Sequence, residues 1–481
     1  MGVLENTEPK EVFRFFEDLT RIPRGSGNEK AVSDYVVKFA RDRGLEVIQD
    51  DLYNVIVKCP ASPGYEDVPG FILQGHLDMV CEKTDDCPID FEKDPLEIYI
   101  DGDGLTAKGT TLGGDDGVAV AYILAIMDSK DLPHPSIEAV LTISEETGME
   151  GAAHIDLSSL KNRKLLNLDS EDEGVFLTGC AGGGRADVRM KIEREEKSGI
   201  RMEVALKGFA GGHSGEGIIK GGGNADLMIS RLVSYITART GAGLVSMAGG
   251  TKDNAIPRAA SAEFIVDGGE KEAFIAAAEE GAGKICAEYR VTDPEAHVEM
   301  NERGEGSDQV LTTASLRKVL ALVLILPNGV QAMSADVKGL VETSLNLGIM
   351  KTDKDEISFS YLVRSSVNSA KEFLLERIKR ITEELGGSYS LSGVYPAWQY
   401  RPDSPLRDQM IRVYKDMYGE EPQVQAIHAG VECGLISDKL PGVDAVSIGP
   451  NMRDIHTTEE TLSISSTKRV WEYVCALLAD K

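Results

Sequence analysis

Residues 70–78 read GFILQGHLD, a short apolar run that ends in a histidine and an aspartate two positions apart. A run of this length, opened by glycine and rich in β-branched and large apolar residues, predicts a strand buried on both faces. Alternation along that strand points His76 and Asp78 to one side of its end. Working outward, NVIVKC (54–59), IEAVLTIS (137–144) and KLLNLD (164–169) read the same way. Between them, residues 9–23 and 28–44 carry apolar residues at spacings of three and four, with Gly44 at a C-cap position, and 115–130 reads as a helix. Strand alternating with helix predicts an α/β domain whose mixed, largely parallel sheet has helices on both faces.

The pattern changes near residue 188. The segment 190–212 alternates apolar and polar residues, as exposed antiparallel strands do, and similar stretches recur at 259–267, 296–301 and 357–364. Helical patterns lie between them at 223–239, 271–289 and 370–385. We read 188–395 as an inserted α+β domain of two similar halves, set between 1–187 and 396–481. The Pro-rich segment 395–406 leads back, and a helix at 405–418, a strand at 445–450 and a helix at 465–479 resume the first pattern.

Composition narrows the function. The net charge is -28, with 79 acidic against 51 basic residues. That balance supplies no basic face for phosphates and so predicts no nucleic-acid and no membrane partner. The longest apolar run, VLALVLIL at 319–326, is far too short to span a bilayer, and the N-terminus lacks a signal-peptide core. Seven scattered cysteines without a CxxC pair fit reduced thiols and a cytoplasmic protein. A metal here has to use His, Asp and Glu.

Acids and histidines recur at ends of the predicted strands: His76 and Asp78, Glu145 and Glu146 in ISEETGMEGA, Asp169 in NLDSEDEG, and His456 in RDIHTTEE. Asp115 and Asp116 follow a glycine turn, where they serve either as helix N-caps or as a bridge between two cations. Of Glu145 and Glu146, one suits a metal and the other a general base. His213 lies in a glycine-rich loop of the insertion. In open α/β sheets ligands bind at the carboxyl ends of the strands, and so many carboxylates cannot ionise there together without cations. Two histidines and three carboxylates suit two zinc-like ions.

These residues stand in segments that resemble the aminoacyl-histidine dipeptidases of the di-zinc aminoacylase and carboxypeptidase G superfamily. The segments are GHLDMVCEK, GTTLGGDDGVAVA, SEETGMEGA, LLNLDSEDEG, TGCAGGG, GFAGGHSG, DNAIPR, GLVETSLNLG, VRSS, YPAW, IHAGVECGLI and IGPNMRDIHTTEE, in order from about 70 to 460. The resemblance implies a zinc-peptidase-like catalytic domain with the insertion as its lid, and hydrolysis of dipeptides such as β-Ala-His. It implies that His76, Asp115, Glu146, Asp169 and His456 bind two divalent ions, zinc before manganese or cobalt, with Asp115 as the bridge. It implies that Asp78 holds His76, that Glu145 is the general base, and that His213 reaches the substrate carbonyl. Arg364 is implied as a clamp for the substrate carboxylate and Asn254 as a further contact, with His428 and Glu432 lining the same pocket. Where relatives carry Asp-Asn, this chain has Asp115-Asp116, which leaves the bridging acid in place. A small peptide is the implied partner, and a homodimer is compatible with the sequence. Two other functions share these ligands: a deacylase of N-acyl amino acids, and a metal-stabilised scaffold without catalysis. The retained base Glu145 argues against the scaffold.

Overall fold

The computed structural model describes residues 2–481, and the chain divides into two compact units. The first comprises Met1–Cys180, Tyr400–Ala426 and Val431–Lys481; the second comprises Ala181–Gln399 and Ile427–Gly430.

The first unit is built on an eight-stranded mixed sheet. Its order is Glu46–Gln49, Val55–Cys59, Ile137–Thr142, Phe71–His76, Lys164–Asn167, Asp444–Ser447, Val175–Cys180 and Gln423–Ile427. Phe71–His76 runs parallel to both Ile137–Thr142 and Lys164–Asn167, and Lys164–Asn167 runs parallel to Asp444–Ser447. Glu46–Gln49 with Val55–Cys59, Val55–Cys59 with Ile137–Thr142, and Asp444–Ser447 with Val175–Cys180 pair antiparallel. The central strands are buried along their whole length, which is why they read as continuous apolar runs. Their carboxyl ends share one edge, since His76 is in register with Thr142 and Gln74 with Asn167. The helix Gly114–Asp128 is buried on almost every side, with Tyr122 stacked on Trp471 of the helix Ile464–Ala479.

That helix begins later than its acids suggested. Asp115 (φ -78°, ψ 110°) and Asp116 (φ -113°, ψ 34°) are non-helical, so neither acts as a simple N-cap. Gly113 ahead of them has φ +68°, and a Cβ there would come within 2.5 Å of the Arg24 guanidinium.

In the second unit one nine-stranded sheet joins residues 182 to 395, and every recorded pairing in it is antiparallel. Alternate residues such as Ala186, Val188 and Met190 form one core with the helices Ala225–Thr237, Lys271–Glu288, Thr313–Ile325 and Asn368–Glu384. The apolar run at 319–326 lies mostly in the third of these helices. No helix among the described residues is long and apolar enough to cross a membrane.

Candidate active site

Five predicted ligands and the predicted base gather at the carboxyl edge of the first unit's parallel strands. His76 ends its strand with Nε2 3.0 Å from Asp115 Oδ1 and 3.7 Å from Asp169 Oδ1. Its Nδ1 is 3.2 Å from Asp78 Oδ1. Asp115 turns its other oxygen, Oδ2, to His456 Nε2 at 3.2 Å, and His456 lies 3.0 Å from Glu146 Oε2. Asp115 therefore spans two histidines, one per oxygen.

These spacings suit cations. Zinc–ligand bonds of 2.0–2.1 Å in a tetrahedron put neighbouring donor atoms ~3.4 Å apart, and the distances above bracket that value. The donor atoms of His76, Asp115 and Glu146 lie within 4.8 Å of one another, as do those of His76, Asp116 and Asp169. The oxygen and imidazole donors, without thiolates, are the set that zinc, manganese and cobalt accept.

The electrostatics are those of a crowded acidic pocket. Burial raises the Asp169 carboxyl well above its usual range, and Asp116 and Asp115 add to the shift against His76. Burial also pushes Glu145 up to about 8, opposed by His76 and reinforced by Glu432, Glu146 and Asp115. On His76 burial disfavours charge, but Asp169, Asp115 and Asp78 outweigh it and hold the ring well above its usual pKa. Hydrogen bonding to Asp115 and Glu146 raises His456 to about 10.

A buried scaffold fixes this edge. Asp78 accepts from Ser26 Oγ at 2.7 Å and from the Glu145 amide at 3.1 Å, so it ties the His76 strand to the Glu145 loop. The Asp116 carboxylate accepts the His76 amide at 3.1 Å. This close approach requires Gly75, because a Cβ there would lie 2.6 Å from Asp116 Oδ2 and 2.7 Å from Ala119 Cβ. Glu460 accepts from the amides of Leu112, Gly113 and Gly114 at 2.7, 3.1 and 2.8 Å. Arg24 donates to the carbonyls of Leu77, Asp78 and Gly113. Glu432, a predicted pocket residue, is fully buried and accepts from Gln74 Nε2 at 2.5 Å and Thr142 Oγ1 at 2.6 Å beneath the strand ends. His456 and Ser144 hold φ of +61° and +52°, left-handed values that non-glycine residues adopt where surrounding structure enforces them.

The remaining predicted residues form a second cluster, within the second unit. Arg364 is buried, with Nη1 donating to Tyr395 Oη at 3.0 Å and Nη2 3.5 Å from His213 Nε2. His428 Nε2 lies 2.7 Å from Ser344 Oγ. Burial, with the Arg364 charge, lowers His428 to about 4 and keeps its ring neutral. Burial and Arg364 also lower the His213 pKa. Asn254 is exposed, and its carbonyl accepts the Ser214 amide at 2.8 Å beside His213.

Sequence reasoning did not single out Arg24, Ser26, Gln74 or Glu460. Their partners are dozens to hundreds of residues away, so no local pattern marked them; only the position of Glu460 four residues after His456 hinted at a shared loop.

The chain is 33% identical over 483 aligned positions to the cytosol non-specific dipeptidase of Escherichia coli (strain K12), covering 100% of this chain and 99% of that protein. Among solved structures it is similar to the aminoacylhistidine dipeptidase from Vibrio alginolyticus, with a TM-score of 0.92, 35% identity, and 99% and 97% of the two chains covered. The aminopeptidase PepT from Bacillus cereus shares the fold, with a TM-score of 0.57 at 16% identity and 98% coverage of each chain. The sequence model of peptidase family M20/M25/M40 matches residues 72–480, and the chain belongs to that family.

Proposed function

We propose that this protein hydrolyses the peptide bond of dipeptides that carry a free C-terminus. The observation that carries the reading is Asp115, whose two oxygens face one histidine each, His76 and His456. Of the three relatives named above, the two at 33% and 35% identity are called dipeptidases, one non-specific and the other aminoacylhistidine. His76, Asp115 and Asp169 would hold one divalent cation, and Asp115, Glu146 and His456 a second, with zinc the first candidate. When bound, such a pair supplies Lewis acidity, which acidifies a water near neutral pH and polarises the scissile carbonyl.

The protein's own groups then have distinct tasks. Asp78, 3.2 Å from His76 Nδ1, fixes that ring so that Nε2 faces the acids. Glu145 takes the proton of the attacking water and returns it to the leaving amine. His213 stabilises the oxyanion as the carbonyl becomes tetrahedral. Arg364 pairs with the terminal carboxylate of the substrate. His428, being neutral, does not compete for that carboxylate as a second charge. These roles give the second unit the part of a lid domain. No disulfide joins any of the cysteines among the described residues, which suits the cytoplasm, as does the word cytosol in the Escherichia coli relative's name.

The test is chelation followed by return of zinc, manganese or cobalt, with release of amino acids measured from Gly-His, β-Ala-His, Ala-Ala and an N-acetyl amino acid. Metal-restored cleavage of the dipeptides with the acetylated compound intact is the expected result. Cleavage of the acetylated compound alone would make the protein a deacylase.

A further inference from the structure

Arg364, Gly183 and Tyr395 stand in one row across three neighbouring strands of the second unit. Arg364 of the strand Glu356–Ser365 is in register with Gly183 of Gly182–Lys191, and Gly183 is in register with Tyr395 of Ser388–Tyr395. Directly opposed residues of antiparallel strands present their side chains to one face. Strands lie ~4.8 Å apart, so the Arg364 and Tyr395 backbones are ~10 Å apart with only a glycine between them. Their side chains meet over it, where Arg364 Nη1 donates to Tyr395 Oη at 3.0 Å.

Several local features build this row. A Cβ at Gly183 would lie 2.6 Å from Cε1, Cζ and Oη of Tyr395, so a side chain there would displace the hydroxyl itself. A Cβ at Gly430 would lie 2.8 Å from Cε2 of the same ring, so glycine backbone confines the ring at both edges. An unbroken register from the pair Ser392–Arg185 would set Val394 opposite Gly183. One extra residue between Ser392 and Tyr395, with Gly393 at φ +56°, sets Tyr395 there instead. Buried Lys371 donates from Nζ to the Tyr395 carbonyl and so holds the end of the strand.

The row leaves the guanidinium aimed but not neutralised. Arg364 is buried, and among the described residues its bonding partners are Tyr395 Oη and His213 Nε2, while its Nε has none. A free arginine side chain samples many rotamers, and the phenol bond selects one before a substrate arrives. A carboxylate in place of the phenol would also hold the guanidinium, but it would cancel the charge that a substrate carboxylate needs. A phenol is uncharged near neutral pH, so it orients the fork and leaves its charge available.

We propose that Tyr395 is a positioning residue, whose hydroxyl aims the Arg364 guanidinium at the substrate's terminal carboxylate across the gap that Gly183 keeps open. The proposal rests on the dipeptidase reading above and on Arg364 as the carboxylate clamp.

The test is steady-state kinetics on Gly-Leu, with melting curves, for the whole metal-loaded parent, Tyr395→Phe, Gly183→Ala, Arg364→Lys, and Tyr395→Phe combined with Arg364→Lys. Tyr395→Phe keeps the ring between the glycines and removes one oxygen. It is expected to raise KM about tenfold, the order for a hydrogen bond to a charged group. Its kcat is expected to stay within about twofold, because a clamp holds substrate and transition state alike. Gly183→Ala, which displaces the same hydroxyl, is expected to raise KM at least as much. In the Arg364→Lys background Tyr395→Phe is expected to change KM by less than about twofold, since the bond that the two residues share is already gone. A KM for Tyr395→Phe within about twofold of the parent would overturn the proposal. So would an equal rise in both backgrounds, which is what a merely structural role gives. Cleavage of no dipeptide by the parent would instead overturn the dipeptidase reading, and an unchanged KM in Arg364→Lys would overturn the clamp.

Discussion

Glu460 offers the sharpest test of how the site is held. Its carboxylate is 2% exposed and accepts from three consecutive amides, at 2.7, 3.1 and 2.8 Å, with the Asp115 amide a weaker fourth at 3.4 Å. Replacing it by glutamine keeps the shape but turns one oxygen into an NH2 group that faces amide donors. One to two of the three strong bonds are lost, and each hydrogen bond to a charged acceptor contributes ~1.5–3 kcal/mol. Burial raises the Glu460 pKa, so desolvation offsets part of that gain. We expect Glu460→Gln to cost about 3 kcal/mol, which lowers Tm by roughly 6–12 °C for a unit of this size. Because the same amides lead into Asp115, metal affinity should fall about 10- to 100-fold, as it does when a group that orients a ligand is removed. Calorimetry gives the first number and competition with a chelating dye the second. A variant that melts within 1 °C of the parent and binds metal equally well would refute the claim that Glu460 sets the Asp115 loop.

Glu145→Gln should lower kcat by at least ~10²-fold with metal content unchanged, since only proton transfer is removed; loss of metal in parallel would make Glu145 a ligand instead. Arg364→Lys should raise KM for dipeptides by about tenfold or more, because a single ammonium cannot match the planar fork of guanidinium on carboxylate; steady-state kinetics on Gly-Leu checks it, and an unchanged KM would remove the clamp. Gly75→Ala should destabilise the first unit by several kcal/mol, on the order of an overpacked core site, because the new methyl meets Asp116 and Ala119; an unchanged melting curve would contradict the close approach. Asp226 is fully buried, neither of its oxygens has a hydrogen-bond partner among the described residues, and burial raises it to about 8. The folded pKa exceeds the unfolded one, so the unfolded chain holds fewer protons between about pH 4 and 8 and stability falls as pH rises through that window. Asp226→Asn should flatten that fall and gain about 5 kcal/mol at most at pH 8; denaturation midpoints at pH 6 and 8 that shift in parallel for parent and variant would exclude it.

The parallel core of the first unit was legible because its strands are buried on both faces and so stand out as apolar runs against amphipathic helices. His76, Asp115, Glu146, Asp169 and His456 stood out because His76 ends such a run and the others lie in acidic or glycine-containing turns near predicted elements, and the geometry brings them to one edge. The helix Thr313–Ile325 was not, because its second half is apolar on nearly every position and shows no 3.6-residue period. Nor was the conformation at Asp115 and Asp116, since glycine before two acids also fits a capped helix. Glu432 shows the limit of motif reading: the segment IHAGVECGLI is contiguous in sequence, yet His428 belongs to the second unit and Glu432 to the first.

The long-range partners explain why an acidic edge of this kind keeps its shape. Local counter-charges are few, and repulsion among Asp115, Asp116, Glu145 and Asp169 would by itself splay the loops that carry them. What opposes it are groups from the two ends of the chain. Arg24 holds the carbonyls of Leu77 and Asp78 on one loop and of Gly113 on the other. Ser26 and Glu29 hold Asp78 and Ser144, and Glu460 gathers the amides before Asp115. Ser26, Glu29 and Glu460 fix position without bringing a positive charge, and Arg24 is a single cation that acts on Asp116 as well as on the backbone. Net negative charge thus remains for cations, while the geometry that receives them is set in advance. Residues 24–29 precede the span matched by the family model, which begins at residue 72, so the pairing of Arg24 with Gly113 is an element of the site that the matched span alone would not reveal.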